Sequence, residues 1–314
     1  MSVWQPSASI DLLEARAALL NRARVFFANR EVLEVETPIL AGSGFTESNV
    51  ELFEIHTDPI KYLQSSPESA MKKLLCAGSG PIFQIAKAFR RNEFGKYHNP
   101  EFSILEWYRP DYDYHQLMIE AFELVRDCLG RQTMEKISYR ELFLDTLKVD
   151  PFLASDGELK SLASNYFDKP HAEISRSESL DLLISHALQS DLRERGVCFV
   201  FDYPKEQVGL AKLKLLDGVT VAERFELYVD GIELANGCTE LSDLFEHKER
   251  LVFQNYLREN NGKQIFPMDK PFLSAIESGL PFCSGVAIGL DRLLMLQSGS
   301  TNISETLAFS WDRC

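Results

Sequence analysis

One stretch restricts the fold of this chain more than any other: Pro81 to Pro110, PIFQIAKAFRRNEFGKYHNPEFSILEWYRP. Strand side chains repeat every two residues, and both ends of the stretch show that period. In the first arm Gln84, Ala86, Ala88 and Arg90 alternate with Phe83, Ile85, Lys87 and Phe89, and in the second Phe102, Ile104, Glu106 and Tyr108 share a face. The pattern predicts two strands joined by a long basic loop. Two interpretations of this loop are open: a binding site for a polyanion, or an ordinary solvated hairpin tip.

A second hairpin is predicted between Val221 and Glu240, VAERFELYVDGIELANGCTE, because Asp230-Gly231 is a strong two-residue turn signal. The turn would pair Val229 with Ile232, Tyr228 with Glu233, and Glu226 with Ala235. Glu226 and Glu233 then become diagonal neighbours on one face, about 7–8 Å apart. Oxygen ligands of this kind suit Mg²⁺, although an acidic protein can also carry such a pair on a solvent face.

Helix signals surround these hairpins. The helix starts are Ser9, Ser66 with Pro67 and Glu68, Asp113, Ser138 with Glu141, and the neighbourhood of Leu241. Gly130 ends the helix that begins near Asp113, and Val32 to Pro38 contains a short strand. Gly42 to Asn49 is a predicted loop. Helical patterns continue towards Arg195 with a break at Pro170, and His171 and His186 there are isolated, which argues against ligand roles.

Composition limits the possible partners and compartments. The chain has 314 residues, 45% of them hydrophobic, which suffices for a large core in one or two domains. None of the six cysteines has zinc-ligand spacing, which argues against a structural zinc and a disulfide framework. Together with the absence of a leader-like or membrane-spanning apolar run, this predicts a soluble protein of the reducing cytoplasm. The net charge of −14 disfavours nucleic acid without excluding a local basic patch.

Three stretches, in this order, resemble motifs 1, 2 and 3 of the class II aminoacyl-tRNA synthetases: LEVETP (Leu33 to Pro38), Pro81 to Pro110, and GVAIGLDR (Gly285 to Arg292). The second is similar to the lysine-type version, and within the class the chain most resembles short paralogues of lysyl-tRNA synthetase that modify elongation factor P. The resemblance implies an α+β fold, with an antiparallel sheet flanked by helices. It also implies one catalytic domain over 1–314, with a helical insertion at about 112–197, and a homodimer built on motif 1.

The resemblance implies an aminoacyl-adenylate site with Arg90 and Arg292 as the catalytic residues. The ATP-binding positions are Arg90, Arg91, Asn92, Glu93, Asn99, Glu233, Leu234, Gly289 and Arg292. The positions for a lysine-type substrate are Ser66, Glu68, Glu106, Tyr108, Glu240 and Ala287, and Glu226 and Glu233 hold Mg²⁺. Gly285 and Gly289 are expected to let adenine approach the backbone closely.

Two positions depart from the usual motifs. Phe-Arg-x-Glu becomes Phe89-Arg90-Arg91-Asn92-Glu93, which leaves Arg91 as the reserve contact for the α-phosphate. Lysyl-tRNA synthetases commonly have Gly where this chain has Ala287, and the extra methyl group is expected to reshape the amino-acid pocket.

Three fates of the acyl group stay open at this stage: a lysine of elongation factor P, tRNA, or none in a non-catalytic paralogue. The motif 1 helix begins near Ser9, which leaves no room before it for an anticodon-binding barrel. The excess of acidic residues also argues against binding of tRNA. We therefore do not expect tRNA binding, and a protein acceptor is preferred. The sequence does not decide between α-lysine and β-lysine.

Overall fold

The computed structural model describes residues 4–43, 48–166 and 174–314. Its strands are β1 (Leu33–Glu34), β2 (Leu40–Ala41), β3 (Glu54–Ile55), β4 (Lys61–Leu63), β5 (Ile82–Phe89), β6 (Glu101–Pro110), β7 (Glu135–Ser138), β8 (Val197–Pro204), β9 (Leu213–Leu216), β10 (Val219–Val229), β11 (Ile232–Thr239) and β12 (Cys283–Gly289). The predicted loop 42–49 falls partly outside the described residues, and Pro170 and His171 fall wholly outside them.

The helices of the described residues lie between and around these strands. They are α1 (Ile10–Ala28), α2 (Glu68–Cys76), α3 (Tyr114–Leu129), α4 (Tyr139–Leu147), α5 (Asp156–Ala163), α6 (Arg176–Leu182), α7 (Gln189–Glu194), α8 (Leu244–Asn260), α9 (Lys270–Gly279) and α10 (Leu290–Ser298). A π-helical segment, Leu183–Ala187, lies between α6 and α7. No described helix is both long and apolar enough to cross a membrane.

A mostly antiparallel sheet is the centre of the fold. Among the described residues it has nine strands, in the order β1-β5-β6-β12-β11-β10-β8-β7, with β9 also paired to β10. Only the outer pairs, β1 with β5 and β7 with β8, are parallel. The predicted α+β fold, an antiparallel sheet flanked by helices, is therefore confirmed.

The first predicted hairpin is confirmed as β5 and β6, which pair antiparallel from Ile82 with Tyr108 to Phe89 with Glu101. Alternation along β6 sends Leu105 and Trp107 into the main hydrophobic core, where they pack with α1 and α3. The other face of β6 is thereby left for the residues between them, and it looks onto a cavity.

The second hairpin turns at Asp230 and Gly231, whose φ angles of 51° and 78° are those of a tight hairpin turn. Val229 pairs with Ile232 and Tyr228 with Glu233, as predicted. The predicted pairing of Glu226 with Ala235 is wrong, because a β-bulge between Leu227 and Tyr228 shifts the register and Glu226 pairs with Asn236. The extra residue on β11 keeps Glu233 and Asn236 on the same face although they are three residues apart.

Most predicted helix ends are confirmed. Ser9 accepts a hydrogen bond from the Leu12 amide, Asp113 and Gly130 bound α3, and Ser138 with Glu141 forms a capping box. The prediction that Ser66 caps α2 is wrong. Pro67 occupies the cap position there, and no side chain caps the helix.

The region from α4 to α7 has a hydrophobic core of its own, around Tyr139, Phe143 and Leu180. Its strand β7 joins the edge of the main sheet through β8. By contrast, α3 packs on the central core with α1. A single domain over 1–314 with a helical insertion at about 112–197 stays a prediction.

Candidate active site

A cavity of about 510 Å³ lies on one face of the central sheet. Strand pairing puts two rows of side chains across it. The first row is Glu106, Ala287, Asn236 and Glu226, and the second is Tyr108, Gly285, Cys238 and Arg224. The volume falls within the range of small-molecule sites, and both rows combine apolar and ionisable groups. The sheet itself therefore forms the floor of the candidate site.

The cavity brings most of the predicted site residues together. Those lining it are Ser66, Glu68, Arg90, Glu93, Asn99, Glu106, Tyr108, Glu226, Glu233, Leu234, Glu240, Ala287, Gly289 and Arg292. Arg91 and Asn92 are exposed and do not line it. The reason is strand parity: Arg90 continues the face of Ala86 and Ala88, whereas Arg91 turns away and its amide donates to the Glu51 carbonyl.

One end of the cavity is cationic. Arg90 follows directly after β5, with its guanidinium 5.3 Å from the centre of the Phe102 ring. Arg292, in the first turn of α10, donates to the Glu233 carbonyl at 2.7 Å and to His98 Nε2 at 2.8 Å. Two arginines, one of them at the start of a helix, make a suitable place for phosphate groups. Asn99 lies nearby, but its amide already donates to the Glu101 carbonyl and accepts from the Trp311 amide.

The opposite end is acidic and largely buried. Tyr108 donates to Glu106 Oε1 at 2.6 Å, and both side chains are almost inaccessible to solvent. Burial, with the nearby charge of Glu68, raises the pKa of Glu106 to about 8. Burial likewise raises the pKa of Glu240, which Lys72 partly opposes. These carboxylates lack enough positive charge to stay fully ionised, so this end of the cavity favours a cationic ligand.

Sequence reasoning missed Lys72, which lies behind this acidic end. Its Nζ is 2.6 Å from Glu68 Oε1 and 2.5 Å from Glu240 Oε2, and its side chain is fully buried. Burial acts to lower the pKa of Lys72, but the charges of Glu240 and Glu68 outweigh it and hold that pKa well above its usual value. The available signal was the spacing of Glu68 and Lys72, because residues i and i+4 are neighbours on a helix.

Glu226 and Glu233 both line the cavity beside Arg224. Glu226 Oε2 accepts hydrogen bonds from Tyr203 at 2.7 Å and Tyr228 at 2.5 Å, and Oε1 accepts one from Arg224 at 2.6 Å. Burial raises the pKa of Glu226; Arg224 lowers it, and the charge of Glu233 raises it further.

These two carboxylates fit a divalent cation. Glu226 Oε1 accepts a single hydrogen bond and so keeps a lone pair for a cation, which would also relieve its repulsion with Glu233. No third acidic, His or Cys side chain of the described residues completes an all-protein metal cluster. Mg²⁺ commonly binds through one or two carboxylates together with substrate phosphates, so two suffice.

Two small residues shape the floor of the site. A Cβ at Gly285 would lie 2.4 Å from Tyr108 Cε1 and 2.6 Å from Glu240 Oε1. Tyr108 and Glu240 therefore leave no room for a side chain at Gly285, and the approach of a flat ligand to this cavity-lining backbone stays a prediction. Ala287 lies between Glu106 and Asn236, so its methyl group is part of the floor beside the acidic end.

A family model for class II tRNA synthetases (D, K and N) matches residues 4–313. A Salmonella typhi protein named elongation factor P–(R)-β-lysine ligase is 42% identical over 324 residues, covering 99% of this chain and 98% of that protein. A protein of the same name from Pseudoalteromonas translucida (strain TAC 125) is 42% identical over 322 residues, covering 100% of this chain and 99% of that protein.

Proposed function

The chain belongs to the family of class II tRNA synthetases for aspartate, lysine and asparagine, and from that membership we propose that it is an ATP-dependent ligase that joins (R)-β-lysine to elongation factor P. Relatives of the same length carry that activity in their names. The observation that carries the proposal is the cavity itself, with two arginines at one end and three carboxylates at the other. That polarity suits a triphosphate at the first end and a diamino acid at the second.

The first half-reaction forms an adenylate. The amino-acid carboxylate attacks the α-phosphorus of ATP, an O–P bond forms, and the bond to the β-phosphate bridge breaks with loss of pyrophosphate. This step needs alignment and charge stabilisation more than proton transfer. We assign the charge stabilisation to Arg90 and Arg292, the two cavity-lining arginines at the cationic end.

The acidic end orients the amino acid. We assign the distal ammonium group to Glu240, Glu106 and Tyr108, because a buried ammonium needs carboxylate partners to offset its lost hydration. Glu68 and Ser66 line the same end and are proposed to face the remaining polar groups of the substrate.

We assign Mg²⁺ to Glu226 and Glu233. When bound there, the ion would neutralise charge on the phosphates. The backbone carbonyl of Glu233 also accepts a hydrogen bond from Arg292. This carbonyl places the proposed metal ligand next to the proposed phosphate ligand, which is the arrangement a nucleotide requires.

In the second half-reaction the ε-amine of an acceptor lysine attacks the acyl carbon. A C–N bond forms, the C–O bond to AMP breaks, and the amine proton passes to solvent. We propose a protein acceptor over tRNA, because the net charge of −14 weakens a sequence-independent hold on RNA. A basic loop bearing the target lysine complements that charge. The reaction is assigned to the cytoplasm, where thiols such as the free cysteines of the described residues stay reduced.

The test supplies ATP, Mg²⁺ and labelled (R)-β-lysine with either purified elongation factor P or total tRNA. Label is expected on a single lysine of the protein and not on RNA. A matched reaction with α-lysine measures isomer preference. Efficient charging of tRNA with the protein left unlabelled would overturn the acceptor, and absence of ATP–pyrophosphate exchange with either isomer would overturn the adenylation itself.

A further inference from the structure

Lys72 is a buried charged residue that contacts two acids of the proposed amino-acid site and has no role in the proposed mechanism. It lies one turn into α2, with 0% of its side chain exposed. It does not line the cavity, whereas its two partners, Glu68 and Glu240, both do. The ammonium of Lys72 is therefore behind the carboxylates, on the side away from the ligand space.

The two oxygens of Glu240 face in different directions. Oε2 is 2.5 Å from Lys72 Nζ. Oε1 lies on the floor side of the pocket, within 2.6 Å of the position that a Cβ on Gly285 would take. Lys72 thus occupies one oxygen of the carboxylate and leaves the other near Tyr108 and Glu106. Because a carboxylate free to rotate would present either oxygen, this contact selects one orientation.

The charges at this end also need Lys72. Three carboxylates, Glu68, Glu106 and Glu240, converge on one cavity end, and Lys72 is the cation that contacts two of them. Without it, the like charges and the lack of water would favour protonation, and a protonated carboxyl group binds an ammonium poorly. A permanently charged neighbour lowers the pKa of Glu240, and so raises the ionised fraction of that carboxylate before the substrate arrives.

We propose that Lys72 is a positioning residue for the amino-acid substrate: it orients Glu240 and favours its ionised form, so that Glu240 Oε1 meets the distal ammonium of a diamino acid. The proposal rests on the proposed function and deepens it. A competing interpretation is that Lys72 stands in for the substrate ammonium and must be displaced. The two differ in sign, since removal of a stand-in would tighten substrate binding.

Other ionisable groups face this pair and belong in any account of its pH dependence. They are Glu68 and Cys76 on α2, Glu106 and Tyr108 on β6, Cys238 on β11, His247 on α8 and Cys283 on β12. Burial, and secondarily the charge of Lys72, lowers the pKa of His247 to about 4, so that ring is neutral near pH 7. Lys72 also lowers the pKa of Glu106, which burial raises to about 8, so loss of Lys72 acts on Glu106 in the same direction as on Glu240.

The test compares Lys72→Met with wild type and with Lys73→Met. Methionine keeps most of the volume of lysine and removes the charge. Lys73 is the next residue of the same helix, is 35% exposed and pairs with Asp269 at 3.4 Å, so its variant controls for charge loss on α2. ATP–pyrophosphate exchange is measured from about pH 6.5 to 8.5, with KM for (R)-β-lysine and for ATP separated from kcat, and melting temperatures check folding.

Lys72→Met is expected to raise KM for (R)-β-lysine about fivefold near pH 7, because a rise of about one unit from a pKa of about 7 reduces the ionised fraction of Glu240 from about a half to about a tenth. KM for ATP should stay unchanged. The sign follows from the contact: Lys72 lowers the pKa of Glu240, so its loss raises that pKa, and higher pH restores the carboxylate. The excess over wild type should therefore shrink towards pH 8.5. A purely structural loss would not recover with pH.

Three results would overturn the proposal: a KM equal to that of Lys73→Met, a lowered KM, or a loss that is the same at every pH. If Lys72→Met does not fold, Lys72→Arg, which retains the charge, decides. A KM of Lys72→Arg for (R)-β-lysine within about threefold of wild type supports the proposal. Failure of both Lys72 variants to fold would assign Lys72 to stability and overturn it. ATP–pyrophosphate exchange by the wild-type protein with (R)-β-lysine distinguishes failure of this proposal from failure of the proposed function. Absence of wild-type exchange contradicts the proposed function alone.

Discussion

At the scale of single residues, the site is a set of charges that are only partly compensated. Glu226 is matched by Arg224, and Glu240 by Lys72, while Glu106 has only a hydroxyl donor in Tyr108. Burial makes each unmatched charge costly, which is why the pKa values of these acids are raised. Cationic ligands would complete the compensation. Three predictions follow from particular groups.

Glu233→Gln should reduce ATP–pyrophosphate exchange by on the order of a hundredfold, because an amide cannot supply the anionic ligand proposed for Mg²⁺. The fold should be retained, since Glu233 is partly exposed and its contact with Arg292 through the backbone carbonyl remains. Glu259→Gln, an exposed acid on α8, is the matched control. Near-normal exchange by Glu233→Gln would contradict the two-carboxylate metal site.

Arg90→Ala should abolish adenylation while Arg91→Ala retains most of it, because only Arg90 lines the cavity. Arg90→Lys should not restore activity, since an ammonium cannot reproduce the bidentate geometry of a guanidinium. Exchange kinetics of the three variants measure this. The reverse order of the two alanine variants would mean that the loop rearranges when ATP binds.

Binding of (R)-β-lysine should release protons near pH 7. The pKa of Glu106 is about 8, so its carboxyl group is mostly protonated at that pH, and a substrate ammonium beside it favours ionisation. Release of up to about one proton is expected, and it should fade above pH 8, where Glu106 has already ionised. Titration calorimetry in buffers of different ionisation enthalpy gives the number. A binding enthalpy independent of buffer would show that Glu106 does not change state.

At the scale of elements, the cationic end depends on how α1 holds α10 against β6. Arg16 of α1 pairs with Asp291, the residue before Arg292, and also donates to the Thr306 carbonyl at 3.1 Å. Asp291 is 1% exposed and accepts the Ser103 amide at 2.7 Å. The helix that begins after Ser9 thus fixes the start of the helix that presents Arg292.

Arg16→Met should destabilise the protein by about 2–4 kcal/mol, because it leaves the buried carboxylate of Asp291 without its cation. It should also raise KM for ATP through the displaced start of α10. Arg24→Met is the control on the same helix: Arg24 and Glu34 are 48% and 39% exposed, and such pairs contribute about 0–1 kcal/mol. Chemical denaturation compares the two. Equal midpoints would contradict the role of Arg16.

At the scale of the whole molecule, apolar side chains near motif 1 are left uncovered. Val25, Leu33, Ile39 and Leu40 are 50%, 56%, 43% and 47% exposed. Leu33 lies on β1, the strand at the edge of the main sheet. Exposed apolar residues on and near a sheet edge are typical of an interface, so we propose that a second copy of the chain covers them.

Leu33→Asp should shift the protein from dimer to monomer, because it puts a charge into the proposed apolar interface. Leu153→Asp, at a site 69% exposed and far along the chain in the region between α4 and α5, should leave the assembly unchanged. Light scattering after size exclusion measures the mass. A wild-type monomer, or a dimer that survives Leu33→Asp, would contradict an interface at motif 1.

The sequence by itself determined the features that depend on local backbone geometry. The two-residue period of a strand aligned Phe102, Ile104, Glu106 and Tyr108 on one face. The sequence left Arg91 in reserve beside Arg90, and the structure shows that only Arg90 of the two lines the cavity. The Asp230-Gly231 pair, whose residue types tolerate the positive φ of a tight turn, located the second hairpin. The three sequence motifs also indicated the protein family, because their order and residues are specific to it.

Only the tertiary structure decided which charges meet across the chain. Arg16 reaches Asp291 over 275 residues, and Lys72 reaches Glu240 from a helix outside the sheet. The bulge that moves Glu226 opposite Asn236 also left no clear mark in the sequence. These contacts depend on how strands and helices pack over long separations, and local periodicity carries no information about that packing.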